Sequence, residues 1–223
     1  NMKKGKIMAI GAHFDDVEIN CGGTLAIAQS SGYDVIVIVI GDGVYIDRNK
    51  KISRNSSIAK KECLKAFKYL NLNKKNLITL NYKETKIPFD VKIIKKIEQT
   101  ITFFKPDLIL THSPHDSHQD HYNTSRNVLA ASRYNNNVLA WESIFPSKLI
   151  KNEISQPNIY IDISNCQEQK INAIKCYQSQ IKKFNSYKMA WLDAIISRSR
   201  YRGVEIGCKH AEAFYAIKYK ITL

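Results

Sequence analysis

The chain has 223 residues, which is enough for one substantial α/β domain but cramped for two. Its 44% hydrophobic content excludes wholesale disorder, and its longest apolar run, Val35–Ile40, is far too short to cross a bilayer. The formal net charge is +14, but no recognised nucleic-acid motif accompanies it. We therefore expect no nucleic-acid partner, and an anionic group on a small substrate is the better use of the charge.

The start of the chain and its cysteines indicate where the protein resides. No apolar segment follows Lys3 and Lys4 closely enough to form a signal peptide. The five cysteines are odd in number and never spaced Cys-x-x-Cys, a pattern typical of free thiols in a reducing compartment. We predict a cytoplasmic protein. Asn1 precedes Met2 and is expected to be a remnant of expression, so we predict a single domain over residues 2–223.

The first half of the chain alternates apolar runs with amphipathic stretches. Ile7–Ile10 and Val35–Ile40 are predicted strands, joined by a helix that begins at Gly22-Gly23-Thr24 and is closed by Gly32. Such a βαβ unit has a right-handed crossover. The next predicted elements are a helix at 57–70, a strand at 77–80, a helix at 91–104 and a strand at 107–111.

The second half continues the alternation with fewer clear signals. Its predicted elements are strands at 137–141, 158–163 and 211–217, and helices at 167–182 and 186–197. Strands that alternate with helices predict an α/β fold with an open, mostly parallel sheet. Ligands of such sheets bind beyond the carboxyl ends of the strands.

A dense group of ligand side chains directly follows the first predicted strand. His13, Asp15, Asp16 and Glu18 lie within six residues, and a buried strand cannot hold that much charge unless it ends at a site. A catalytic zinc uses three protein ligands, such as His nitrogen and Asp oxygen, and leaves one position for water. Taken alone, this motif fits an exposed acidic turn with a helix-capping Asp equally well.

A second polar cluster follows the predicted strand at 107–111. Four of the six histidines fall within residues 112–123, whereas a core histidine is normally single and hydrogen-bonded to the backbone. The concentration therefore indicates a functional site. Within it, we expect His112 and His115 to support or flank the site and not to bind the ion.

Two motifs resemble those of a known family when they are read together. His13-Phe14-Asp15-Asp16 and His118-Gln119-Asp120-His121 resemble the metal motifs of the PIG-L or LmbE-like zinc-dependent deacetylases, which act on N-acetylglucosamine-containing substrates. The likeness continues through Gly22-Gly23-Thr24, residues 176–180 and residues 202–214. It implies a Rossmann-like, mostly parallel sheet flanked by helices.

The resemblance implies three zinc ligands: His13, Asp16 and His121. Zinc lowers the pKa of its bound water toward ~7, so a zinc-activated water is available as nucleophile at neutral pH. A site of two His and one Asp also accepts Fe²⁺, cobalt or manganese, so Zn²⁺ is the expected cofactor but not the only candidate.

The resemblance also implies three catalytic residues. Asp15 becomes the general base that accepts the proton of the water. His118 faces the developing oxyanion and the leaving amine, because a His held by a carboxylate is a fixed donor. Asp120 becomes the orienting partner of His118.

One departure from the family pattern concerns the residues that hold the substrate. Glu62 resembles a family Glu, but the Arg expected three residues earlier is Ala59. Arg54, Lys60 or Arg48 is the expected substitute.

The predicted function is a metal-dependent hydrolase that removes acetyl from an N-acetylated amino sugar. Two alternatives stay open: an amidase of the same mechanism on a bulkier acyl-glucosamine conjugate, and a non-catalytic glycan or nucleic-acid binder that retains the fold. The intact set of ligand and catalytic residues speaks against the binder. The expected partner is a small amino-sugar conjugate, and the positive net charge of the protein favours an anionic one. Assembly into an oligomer is compatible with the sequence.

Overall fold

The computed structural model describes residues 4–47, 52–135, 137–143 and 156–220. The strands of this part of the chain are β1 Lys6–Gly11, β2 Asp34–Gly41, β3 Tyr45–Ile46, β4 Ile52–Arg54, β5 Leu77–Tyr82, β6 Leu108–Thr111, β7 Val138–Trp141, β8 Ile159–Asp162 and β9 Ala211–Lys218. The helices are α1 Asp16–Ser30, α2 Ser56–Tyr69, α3 Val91–Phe104, α4 Gln119–Ala131, α5 Gln167–Lys175, α6 Gln178–Ser186 and α7 Trp191–Glu205.

The main sheet has seven strands in the order β5-β2-β1-β6-β7-β9-β8. The pairs from β5 to β7 are all parallel, and β9 runs antiparallel between β7 and β8. β1 is central, since Ile7 lies between Val35 of β2 and Leu108 of β6. The mostly parallel α/β fold is therefore confirmed, and β3 and β4 form a separate hairpin.

Helices cover both faces of the sheet. Alternate residues of a strand point to opposite faces. Ile7 and Ala9 of β1 accordingly pack with α1, α2 and α5, whereas Met8 and Ile10 pack with α3 and α4. β2 has the continuous burial expected of a central parallel strand. Both faces being filled by helices, the open surface for a ligand is the edge where the strands end.

The loops after β1 and β2 are joined at that edge. The Gly41 N–H donates to the Ala12 carbonyl over 2.8 Å. A Cβ at Gly41 would lie 2.7 Å from the same oxygen, so only glycine allows this approach. The contact places the turn that carries His13 beside the end of β2.

Several predicted elements differ from the observed ones. The helix predicted at 167–182 is two helices, α5 and α6, because Tyr177 is fully buried and its hydroxyl donates to the Phe14 carbonyl. The last helix runs from Trp191 to Glu205 instead of 186–197. The first begins at Asp16, ahead of the predicted start, and leaves helical geometry at Cys21. The helix α4 and the hairpin of β3 and β4 were not predicted.

Two further observations concern the described residues. None of their helices is both long enough and apolar enough to span a membrane. All five cysteines carry free thiols. The cytoplasmic location and the domain bounds stay predictions.

Candidate metal centre

All six predicted site residues come together at the carboxyl ends of β1 and β6. The turn after β1 and the first residue of α1 carry three of them, and the loop after β6 with the first turn of α4 carries the others. A cleft of about 310 Å³ is lined by five: His13, Asp15, Asp16, His118 and His121. The sixth, Asp120, is fully buried behind His13.

The three predicted metal ligands lie within reach of one ion. His13 Nδ1 is 3.2 Å from His121 Nε2 and 3.4 Å from Asp16 Oδ2, and His121 Nε2 is 3.4 Å from Asp16 Oδ1. Tetrahedral bonds of about 2.0–2.1 Å place neighbouring donor atoms roughly 3.3 Å apart, so these residues fit a zinc-sized cation. His13, His118 and His121 also group closely enough to share an ion.

Each of the two imidazoles is held by a carboxylate on its far side. His13 Nε2 contacts Asp120 Oδ2 at 3.0 Å, and His121 Nδ1 contacts Asp116 Oδ2 at 3.0 Å. Ser143 Oγ donates to the same Asp116 oxygen over 2.5 Å. A ring that donates one N–H to a carboxylate presents its other nitrogen as an acceptor, which is the form that a metal requires.

Asp16 is fixed from behind by His112. The Trp141 indole Nε1 donates to His112 Nδ1 over 3.3 Å, and His112 Nε2 lies 3.1 Å from Asp16 Oδ2. The Ala12 backbone N–H also donates to His112 Nε2 over 3.0 Å, so this ring nitrogen faces both a backbone donor and the Asp16 carboxylate. The His13 backbone N–H donates to Asp16 Oδ2 over 2.6 Å. His112 therefore lies against Asp16, and the donor atoms of Asp16, His112 and His121 form a second group close enough to share an ion.

The electrostatics of the cluster favour positive charge between its members. Burial lowers the pKa values of His13 and His121, but nearby carboxylates outweigh it, raising that of His13 well above its usual value and that of His121 to about 9. Burial raises the pKa of Asp16, yet the surrounding histidines, His121 foremost, hold it well below its usual range. A bound divalent cation would supply the same positive charge.

His118 lies beside this group as a neutral ring. Its Nδ1 accepts the Asp120 backbone N–H over 3.2 Å, and its ring stacks on His121 with a centroid distance of 4.5 Å. Burial, followed by the positive charges of His121 and His13, lowers the pKa of His118 to about 4. Since Nδ1 is an acceptor, the proton is on Nε2.

The Asp120 carboxylate, which was predicted to orient His118, faces His13, and only its backbone N–H contacts the His118 ring. The Asp120 carboxylate contacts His13, and it also accepts the Thr85 and Ile87 backbone N–H groups over 2.6 and 3.2 Å. The reason is that α4 begins at Gln119. His118 is then the N-cap residue, and it reaches Asp120 only through the backbone N–H.

Asp15 is buried and lines the cleft. It occupies the N-cap position of α1, but its carboxylate makes no cap hydrogen bond. The side chain is therefore not committed to the helix and can take part in proton transfer.

The far wall of the cleft comes from α6, α7 and the hairpin, and sequence reasoning missed it. Phe184 and Trp191 stack with a centroid distance of 4.8 Å, and the Tyr45 and Tyr187 hydroxyls are 2.8 Å apart. The dense aromatic spacing of residues 184–191 was the available signal. Amphipathic rings of this kind suit a ligand with both polar and apolar faces.

Three cations were predicted to hold the substrate, and among the described residues Arg54 alone of these lines the cleft. It is buried, donates to Glu84 Oε1 over 3.1 Å and to the Gly43 carbonyl over 2.8 Å, and faces Gln180. Lys60 is exposed on α2, and Arg48 lies outside the described residues. Because Arg54 is already paired, it shapes the wall more than it attracts an anion.

The fold and the cleft together define a Rossmann-like α/β protein with a candidate metal centre at its strand ends. A family model described as PIG-L, GlcNAc-PI de-N-acetylase, matches residues 8–132. The chain belongs to the PIG-L family.

Comparison with known proteins gives both deacetylases and a hydratase. The chain is 23% identical over 226 residues to the diacetylchitobiose deacetylase of Thermococcus kodakarensis, covering 93% of this chain and 81% of that protein. The structure of the zinc inhibited form of teicoplanin deacetylase Orf2 matches with a TM-score of 0.76 at 18% identity, over 97% of this chain and all of that one. The 4-carboxy-2-hydroxymuconate hydratase GalB from Pseudomonas putida KT2440 has a TM-score of 0.81 at 17% identity, over 98% of both chains.

The family and the curated relative support an enzyme that acts on N-acetyl amides of sugar conjugates. Likeness of fold alone does not select the reaction, because the hydratase shares the architecture.

Proposed function

We propose that the protein is a metal-dependent N-deacetylase, which hydrolyses the acetamide of an N-acetylated amino sugar to a free amine and acetate. The observation that carries the proposal is the close grouping of His13, Asp16 and His121 in a cleft, with Asp15 and His118 beside them. The family match to a de-N-acetylase supports the choice of reaction.

His13, Asp16 and His121 would hold the metal, and their donor spacing and carboxylate-held rings fit this role. A metal bound there would act as a Lewis acid, which lowers the pKa of a water and polarises the amide oxygen. Zinc is the first candidate because the ligands are His nitrogen and Asp oxygen. Iron(II), cobalt and manganese remain alternatives for the same donor set.

In this proposal Asp15 is the general base. Its carboxylate lines the cleft beside the ligands and is not used to cap α1. It would accept a proton from the attacking water and pass it to the amide nitrogen, which must be protonated to leave as an amine.

His118 would stabilise the oxygen that becomes negative as the amide carbon turns tetrahedral. Its pKa is lowered to about 4, so the ring is neutral at pH 7, and its Nε2–H is a fixed donor because Nδ1 is occupied by the Asp120 N–H. A preorganised donor in a buried site stabilises the transition state more than the ground state.

The substrate we propose is a small amino-sugar conjugate whose second part is anionic. Lys183 lines the cleft, and a neighbouring hollow of about 430 Å³ adds Lys182 beside it. A Michaelis constant with weak salt dependence for both neutral and anionic conjugates would contradict the anionic part.

The first experiment measures free amine released from a panel of N-acetylglucosamine conjugates by metal-loaded wild type, chelator-treated protein and Asp15→Asn. We expect amine only from the loaded wild type, and a loss of at least ~100-fold in the variant, as for a missing general base. Asp193→Asn, which changes an exposed carboxylate on α7, is the matched control.

The other outcomes separate the alternatives. Release from bulkier N-acyl conjugates but not from acetamides would replace the deacetylase with the amidase. Full activity in Asp15→Asn would remove Asp15 from the mechanism. A wild type that binds metal and hydrolyses no amide would overturn the proposal.

A further inference from the structure

The helix that carries Asp16 is broken after one turn. Cys21, at φ −139° and ψ 16°, interrupts α1 between Asp16–Asn20 and the segment from Gly22 onward. A break leaves carbonyls at the end of the first segment and N–H groups at the start of the second without partners in the helix. The structure supplies both sets of partners from the last third of the chain.

The N–H groups of the second segment are bound by Glu212 of β9. Its carboxylate accepts the Gly23 and Thr24 backbone N–H groups over 2.9 and 2.7 Å, and the Thr24 hydroxyl over 2.6 Å. Lys170 Nζ donates to the same carboxylate over 2.6 Å. Glu212 thus acts as an N-terminal cap from a distant strand, which stabilises the break.

The carbonyl side of the break is bound by Arg198 of α7. Its Nη2 donates to the Ile19 carbonyl over 3.0 Å, and its Nη1 donates to Asn20 Oδ1 over 3.2 Å and to the Glu142 carbonyl over 2.6 Å. Asn20 Nδ2 in turn donates to the Asp16 carbonyl over 2.8 Å. A continuous hydrogen-bond path therefore connects Arg198 to the backbone of a proposed metal ligand.

Glu142, whose carbonyl accepts from Arg198, is also held by a second arginine of α7. Arg202, one turn further along α7, donates through Nε and Nη2 to the Glu142 carboxylate over 2.8 and 2.5 Å. The Glu142 carbonyl, bound by Arg198, is thereby fixed. The geometry of this network is set by tertiary contacts and not by helix propensity.

We propose that Asn20 and Arg198 are positioning residues, which hold the one-turn segment of α1 so that Asp16 faces His13 and His121. The inference rests on the proposed metal centre. Arg198 does not line the cleft, so it would act through the groups that it binds: Asn20 and the Ile19 carbonyl on α1, and the Glu142 carbonyl beside Ser143. Loss of partners that orient metal ligands costs about 10–100-fold in affinity.

The test compares Arg198→Lys and Asn20→Ala with Arg200→Lys, a matched change at an exposed arginine of the same helix. Two quantities are measured on each full-length protein: Zn²⁺ affinity by competition with a chromophoric chelator, and hydrogen exchange of the residue 16–20 amides without metal. Thermal unfolding shows that each variant folds.

We expect faster exchange of these amides and about tenfold weaker Zn²⁺ binding in Arg198→Lys and Asn20→Ala, with Arg200→Lys unchanged. Exchange equal to wild type in both variants would overturn the inference, whatever the metal does. Faster exchange with unchanged Zn²⁺ affinity would also overturn it, because the segment would then not position the ligand. If the wild type binds no metal and both variants still exchange faster than the wild type, the proposed metal centre alone would be overturned.

Discussion

Asp116 lies behind His121, a proposed metal ligand, and contacts the ring nitrogen that faces away from Asp16. It accepts hydrogen bonds from the Ser143 hydroxyl and the His118 N–H, and its charge holds His121 Nδ1. The pKa of Asp116 is lowered, since hydrogen bonding and charge from His121 outweigh its burial. The carboxylate beside His121 Nδ1 is therefore ionised at neutral pH.

We predict that Asp116→Asn lowers metal affinity by about 10–100-fold while the protein stays folded. The amide keeps the shape and can still accept from Ser143, but it removes the charge that fixes the His121 tautomer. Metal titration by calorimetry, with thermal unfolding alongside, measures both effects. Asp193→Asn is the control. Equal affinity in the two variants would show that Asp116 does not tune the ligand.

At the residue scale, the sequence was informative where neighbours in the chain remain neighbours in space. His13 and Asp16 are three residues apart in one turn, so their proximity was predictable. The direction of the Asp120 carboxylate was not, because it depends on the residue at which α4 begins. Ser143 could not be found, since only the pairing of β6 with β7 brings it to Asp116. The roles of the six predicted residues remain proposals.

Among the elements, α6 links a buried acid to the wall of the cleft. Glu62 of α2 accepts the Ser179 N–H over 2.8 Å and the Ser179 hydroxyl over 2.6 Å, so it caps the start of α6. The same helix carries Phe184, which lines the cleft. The position of the wall therefore depends on a contact outside the cleft.

We predict that Glu62→Gln raises KM several-fold and leaves kcat nearly unchanged. The substitution weakens a cap worth about 0.5–2 kcal/mol and loosens the wall that binds substrate, without touching a reacting group. Steady-state kinetics on the best conjugate, with Glu98→Gln on α3 as control, measure the split. A fall in kcat with constant KM would place Glu62 in the chemistry instead.

The elements that were predicted well are those whose signals are local. α3 occupies Val91–Phe104 as predicted, because its apolar residues have helical spacing and Asp90 caps its start. The division of the 167–182 region into α5 and α6 had no local signal. It follows from burial of Tyr177 against the turn that carries Phe14, which is 163 residues away. The strands β3 and β4, of two and three residues, are too short to show an alternating hydrophobic pattern.

For the whole molecule, the family model covers residues 8–132, whereas the fold continues to the end of β9. The matched residues 8–132 include all six predicted site residues. The rest of the chain nevertheless completes their surroundings: β9 supplies Glu212 to the break in α1, and α6 and α7 supply the cleft wall. The later part of the chain therefore completes the surroundings of a candidate site whose six predicted residues all lie earlier.

The buried pair of Lys170 and Glu212 allows that dependence to be measured. Both side chains are at most 2% exposed, and Glu212 lies 189 residues from Gly23, whose N–H it accepts. We predict that Glu212→Gln destabilises the protein by about 3–5 kcal/mol, because it leaves a buried ammonium group without a carboxylate. Lys170→Met combined with Glu212→Gln should recover much of the loss, since the unpaired charge is then gone.

Urea unfolding of the wild type, both single variants and the double variant gives the coupling free energy. Strictly additive losses would mean that the two groups do not act as a pair, and that capping of α1 alone accounts for Glu212.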